Sequence, residues 1–217
     1  MPFSLPSPLY AILDVEVATL RGLAPVAVVD AWLSGGVRLL QLRAKTLTGG
    51  PLLQLSEQIA ARCRAAGARF IVNDRVDVTL MSAADGVHIG QTDLAPRDVR
   101  ALLPPPGWIG YSTHSIAQIE SALNEPVDYL AFGPVFSTSS KAQADPVVGL
   151  AQLGEAAARA ARAGLPLVAI GGITLERVSD VMAAGASAVA VISDLLTGNP
   201  ASRAREYLAV LSRYSPR

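Results

Sequence analysis

The sequence predicts a single eightfold barrel of alternating strands and helices, and three observations carry that expectation. Short apolar runs rich in β-branched residues recur along the chain, each followed by a segment of helical spacing. Nearly every run breaks off into polar, chemically capable residues. No linker, low-complexity stretch or second compositional block interrupts the alternation. The 217 residues therefore read as one α/β domain of a class that typically takes ~250 residues. A doubly wound open sheet is the runner-up.

Leu9 to Leu13 is the first expected strand, ended by Asp14. A helix over about Pro25 to Leu33 stops at Gly35-Gly36, and Val37 to Leu42 is the second strand, running into QLRAK. Leu52, Leu55, Ile59 and Cys63 keep helical spacing, with Gly67 as the C-terminal cap. Phe70, Ile71 and Val72 are too short a run for a helix and form the third strand, breaking at Asn73-Asp74-Arg75. Val76 to Met81 is a short helix, and Gly86 to Ile89 is the fourth strand, giving way to Gln91 and Asp93. Pro96 suits the first turn of a helix whose end is enforced by Pro104-Pro105-Pro106. Trp108 to Tyr111 is the fifth strand, followed by Ser112 and a helix carrying Ile116, Ile119 and Leu123. Tyr129 to Phe132, the sixth, enters the longest irregular segment, 133–147. A loop of that length in a compact domain is usually a functional lid or disordered. A helix over about Leu150 to Ala163 and a strand over Leu167 to Ile170 follow, then Gly171-Gly172 and a helix over about Thr174 to Ala184. A strand over Ala188 to Ile192, tipped by Ser193, and a helix over Ala201 to Leu211 complete the series.

Hydrophobic residues make up 51% of the chain, ample material for a core. Lys+Arg and Asp+Glu are both 18, so the net charge is zero and no polyanion-binding face shows in the balance. Neither nucleic acid nor a membrane is an expected partner, and any anion must be gripped locally; a homo-oligomer is compatible with this reading. Cys63 is the only cysteine, which excludes an internal disulfide and fits a reducing compartment. The opening MPFSLPSPLY lacks the basic and apolar parts of a secretory signal, and no apolar run is long enough to span a bilayer, so the expected location is the cytoplasm. With two histidines, His88 and His114, a zinc cluster is not expected, and any metal is one bound through oxygen, as magnesium is.

If the strands lie parallel, their carboxyl ends share one face, and the residues just after them meet. Gln41, Arg43 and Lys45 follow the second strand, Asn73 and Asp74 the third, Asp93 the fourth and Ser112 the fifth. Thr138, Ser140 and Lys141 lie in the loop after the sixth, Gly172 follows the seventh and Ser193 the eighth. Asp74 and Asp93 would then converge, and two adjacent carboxylates repel unless they share a proton or hold a cation. The pair is an acid/base couple or a metal site; taken singly, Asp74 also suits a helix cap and Asp93 a solvated turn. Arg43, Lys45 and Lys141 beside it form the arrangement expected for a diphosphate bridged by magnesium. Gly171-Gly172 and Ser193 resemble the phosphate site that barrels build after strands seven and eight. His88, inside an apolar strand, reads as a hydrogen-bonded barrel residue, while His114 suits either chemistry or loop orientation. No glycine-lysine phosphate loop, HExxH or serine or cysteine nucleophile with a base is present, which argues for a reaction without a protein nucleophile.

The ordered set QLRAK, NDRVD, GVHIGQTD, GYSTHS, GPVFSTSSK, AIGGI and AVAVIS, spread from Gln41 to Ser193, resembles the thiamine-phosphate synthase family. The resemblance implies coupling of 4-amino-5-hydroxymethyl-2-methylpyrimidine diphosphate to a thiazole phosphate. It implies that Gln41, Leu42, Arg43, Ala44, Lys45, Asn73, Ser112 and Lys141 hold the pyrimidine diphosphate, with Arg43, Lys45, Ser112 and Lys141 in catalytic roles. Asp74 and Asp93 would bind Mg2+. Thr138, Ser139, Ser140, Gly172, Ile192 and Ser193 would receive the thiazole phosphate. Ser140 stands where the family usually has threonine, and Ala44 where relatives are often acidic. The rival reading is the related thiazole tautomerase, with His114 as proton carrier, although that relative lacks the paired aspartates. A non-catalytic phosphate sensor is the third.

Overall fold

The computed structural model describes residues 3–138 and 146–214. Eight parallel strands pair in sequence order, and β1 pairs with β8 to close a barrel, which excludes the open sheet. They are β1 (Leu9–Asp14), β2 (Leu39–Arg43), β3 (Arg69–Asn73), β4 (Gly86–Ile89), β5 (Trp108–Thr113), β6 (Tyr129–Phe132), β7 (Leu167–Ile170) and β8 (Ala188–Val191). Around them lie α1 (Val15–Leu20), α2 (Pro25–Ser34), α3 (Gly49–Ala65), α4 (Val76–Ser82) and α5 (Pro96–Leu102). The ring continues with α6 (Ile116–Ala122), α7 (Gly149–Arg162), α8 (Val178–Ala183) and α9 (Pro200–Leu211). Every expected strand is present, with ends shifted by at most two residues.

Some short elements differ from expectation. Helix α1 was not expected: Asp14 ends β1 but also caps a helix, its Oδ1 accepting the Val17 N–H at 3.0 Å. The alternating, β-branched VEVATL hides that helix, because it carries no 3.6-residue apolar stripe. The single helix expected from Thr174 is a 3-10 turn, Leu175–Arg177, leading into α8, and a further 3-10 turn, Asp194–Leu196, follows β8. Gly67, at φ 66°, sits just past the end of α3, where the left-handed cap was expected.

Strand alternation sorts the core into two layers. Leu9, Leu13, Leu40 and Leu42 face the helices, whereas Tyr10, Ile12, Leu39, Ile71, Tyr129 and Val168 fill the barrel. Phe3 and Leu5 pack against this inner cluster, and the Phe3 ring meets Trp108 edge-on with centroids 4.8 Å apart. Trp108 begins β5, so this plug stoppers the amino end of the barrel interior. The interior is tight at Gly110, where a Cβ would lie 2.1 Å from the Tyr129 ring and 2.4 Å from His88 Nδ1. Gly110→Ala is therefore expected to cost about 2 kcal/mol in urea unfolding, as overpacked cores do; an unshifted midpoint would show that the interior yields. Among the described residues, no helix is long and apolar enough to cross a membrane.

Candidate active site

Adjacent strands place the first charges. Asp14 is paired in register with Arg43, and the two side chains form an ion pair in which Asp14 is 1% exposed. Burial pushes the Asp14 carboxyl above its usual range, against the Val17 N–H and the Arg43 charge. Just beyond β2, Glu16 Oε1 accepts from Thr46 N at 2.8 Å and Thr46 Oγ1 at 2.7 Å, tying the loop that carries Lys45 to the start of α1. Lys45 in turn pairs with Asp74.

Asp74 occupies the left-handed region at φ 63°, and its N–H donates to His88 O at 2.8 Å. Aspartate tolerates that conformation better than most residues. Asp93 Oδ2 accepts the Gly90 N–H at 2.7 Å, which closes a tight turn after β4. The two carboxylates are neighbours: burial and the Asp93 charge push the Asp74 carboxyl upward, while Lys45 pulls it down. Two oxygen-donor carboxylates at an open cavity suit Mg2+, which keeps several waters and takes one or two protein carboxylates plus substrate phosphate oxygens. Among the described residues, no cluster of three or more His, Cys, Asp or Glu forms a dedicated cage.

At the carboxyl end of the barrel a cavity of 370 Å³ is lined by Gln41, Arg43, Lys45, Asn73, Asp74, Asp93, Ser112 and Thr138, among others. A second cavity of 260 Å³ includes Thr138, Gly172, Ile192 and Ser193 in its lining. The two share a wall made by Thr138, Ile170, Gly171, Ala190 and Ile192. The structure thus brings together most of the residues singled out in the sequence and sorts them into two neighbouring cavities.

Leu42 and Ala44 line neither cavity: Leu42, one residue out of phase with Gln41 and Arg43, points outward, and both pack with the helix-facing core. Ser139, Ser140 and Lys141 lie outside the described residues. The preceding part of that loop runs beside β7, with Val135 N donating to Ile170 O at 2.9 Å and Phe136 N to Gly171 O at 3.0 Å, which sets Thr138 in the wall. Gly171 and Gly172 both have positive φ, and a Cβ on Gly172 would stand 2.3 Å from Ser137 O, so packing alone requires that glycine. His88 is hydrogen-bonded through both ring nitrogens inside the barrel, as expected. His114 Nδ1 donates to Gly133 O at 2.6 Å, holding the loops after β5 and β6 together at the cavity edge.

Two arginines escaped the sequence reading. Arg21, after α1, donates from Nη1 to Ser193 O at 2.6 Å, and Arg177 Nη1 donates to Gly172 O at 2.8 Å while lying over the Phe136 ring at 4.5 Å. Both line the smaller cavity. Among the described residues its one acidic lining residue, Asp194, is already engaged by Arg203 at 2.8 Å and by the Tyr207 hydroxyl. The smaller cavity is therefore electropositive. Nothing local in the sequence marks them: Arg21 follows a helix that the sequence hides, and Arg177 ends the 3-10 turn before α8.

A closed barrel with paired acids at its mouth and an electropositive cavity beside them defines an enzyme of phosphorylated small molecules. The profile of the thiamine monophosphate synthase family matches residues 9–195, and the chain belongs to that family. It is 43% identical over 203 residues to a thiamine-phosphate synthase of Laribacter hongkongensis, covering 93% of each chain. It is 42% identical over 212 residues to one of Koribacter versatilis, covering 94% of this chain and 95% of the other. The thiamine phosphate pyrophosphorylase structure from Pyrococcus furiosus superposes with a TM-score of 0.84 at 28% identity, covering 96% of both chains. The resemblance drawn from the motifs is thus borne out, and the activity is the transferase reaction that forms thiamine phosphate.

Proposed function

We propose that the larger cavity takes 4-amino-5-hydroxymethyl-2-methylpyrimidine diphosphate and the smaller takes the phosphate of 4-methyl-5-(2-phosphooxyethyl)thiazole or its carboxylated form. The shared wall carries this reading, because it sets a ring held in one cavity against a ring held in the other. Asp74 and Asp93 would hold Mg2+, and Arg43, Lys45, Ser112 and Lys141 would bind the diphosphate. The bond between the pyrimidine methylene carbon and the diphosphate oxygen breaks, its electron pair leaving with the diphosphate, and the thiazole nitrogen captures the methylene cation. Bound magnesium supplies positive charge to the departing oxygens. Arg43 and Lys45 add fixed charge there, and the adjoining cavities hold the rings in reacting order. A reducing cytoplasm is part of the reading, in keeping with a sequence whose one cysteine, Cys63, can form no internal disulfide.

Incubation with both substrates and magnesium is expected to release diphosphate and thiamine phosphate together. A product formed from the thiazole phosphate alone would instead identify a tautomerase. The smaller cavity can be tested separately. Arg177→Ala and Arg21→Ala are each expected to raise KM for the thiazole phosphate about tenfold, the worth of one charge-assisted contact. KM for the pyrimidine diphosphate should stay unchanged; a shift there would exchange the two assignments.

A further inference from the structure

We propose that Gln41, Tyr10, Tyr129, His88 and Ser112 form a one-way hydrogen-bond relay through the barrel that turns the Ser112 hydroxyl proton toward the larger cavity, where it meets the anionic leaving group. The five residues come from five strands, β2, β1, β6, β4 and β5. Gln41 Nε2 donates to the Tyr10 hydroxyl at 2.9 Å, and the Tyr10 and Tyr129 hydroxyls are 2.9 Å apart. Tyr129 lies 3.1 Å from His88 Nδ1, and His88 Nε2 lies 2.9 Å from Ser112 Oγ.

Direction follows from the donor inventory. An amide nitrogen gives hydrogens and accepts none, so the Tyr10 oxygen accepts from Gln41 and its single proton goes to Tyr129. Burial pushes both tyrosine hydroxyls well above their usual range, so each keeps its proton. Tyr129, having accepted from Tyr10, gives its proton to His88 Nδ1, which must be the bare nitrogen. The neutral imidazole then carries its proton on Nε2 and donates to Ser112 Oγ. Ser112, accepting from the histidine, spends its own proton elsewhere, and the cavity it lines is where a ligand oxygen would be. Two features hold the last links in place. Gln91 Nε2 donates to Ser112 O at 2.6 Å, and Gly110 leaves the gap in which Tyr129 and His88 meet. His88, Tyr129 and Tyr10 are thus positioning residues acting through Ser112.

The destination of the proton rests on assigning the larger cavity to the diphosphate, which turnover of the unsubstituted chain tests by itself. The relay is read without substrate. In protein labelled with ¹⁵N-histidine, where His88→Asn separates the two histidine signals, His88 is expected as the Nε2–H tautomer alone. Tyr129→Phe, or Tyr10→Phe should the first fail to fold, is expected to relax it to a mixture. The same substitution should lower kcat/KM for the pyrimidine diphosphate on the order of tenfold, the worth of one hydrogen bond. In a Ser112→Ala background it should add nothing, since residues acting through one group are not additive. An Nδ1–H tautomer, which a reversed chain starting from the Gln41 oxygen would produce, overturns the relay. So does a tyrosine effect that persists undiminished in Ser112→Ala.

Discussion

Asp74→Asn and Asp93→Asn are each expected to slow thiamine phosphate formation by about a thousandfold, roughly 4 kcal/mol of transition-state stabilisation, while the barrel stays folded. The loss is large because an amide keeps the shape of the carboxylate but not the charge that would hold the cation. The fold should survive for a local reason. Asp74 stands at φ 63°, and asparagine is among the few residues at ease there. A carboxyl whose pKa is raised by folding is destabilising once ionised at neutral pH, so removing the Asp74 charge lifts a cost that the folded state bears. The melting temperature of Asp74→Asn is accordingly expected to equal or exceed that of the unaltered chain. Undiminished turnover in both variants would remove the metal assignment.

Arg43→Ala is expected to weaken both the fold and the reaction. Its partner Asp14 is 1% exposed, and stripping the guanidinium away leaves an uncompensated buried charge. Losses of about 3–5 kcal/mol are usual in that circumstance. The lower end applies here, because Asp14 still receives the Val17 N–H and burial already favours its protonated form. Adding Asp14→Asn removes the stranded charge and keeps an N-cap for α1, so the double variant should regain most of the stability in denaturant titration. It should not regain activity, since the cation at the cavity is still missing. Recovery of both together would mean that Arg43 serves only the fold.

How far the sequence reveals this molecule depends on the range of the information. Strands such as Phe70–Val72 and Leu167–Ile170 are legible because short, β-branched apolar runs bounded by polar residues have few other uses. The convergence of Asp74 and Asp93 is legible once the strands are taken as parallel, since topology alone brings their ends to one face. Helix α1 is not legible, because its capping aspartate looks like a strand terminus and its residues alternate. The family resemblance implies Leu42 as a site residue with the rest of QLRAK, although the two-residue period of a strand places it opposite Gln41 and Arg43. Arg21 and Arg177 are beyond local reading. They are two exposed arginines among many, and only barrel closure carries them to one cavity.

The common partition between the two cavities has a pharmacological consequence. Thr138, Ile170 and Ile192 line both cavities, so the compartments proposed for the diphosphate and the phosphate are immediate neighbours. A compound bearing a diphosphate mimic at one end and a phosphate mimic at the other, joined by a short stiff bridge over that partition, would dock its second end without a new collision. The second site would then experience a local concentration on the order of millimolar or more, and such a bivalent inhibitor would outbind either half far beyond the strength of its separate contacts.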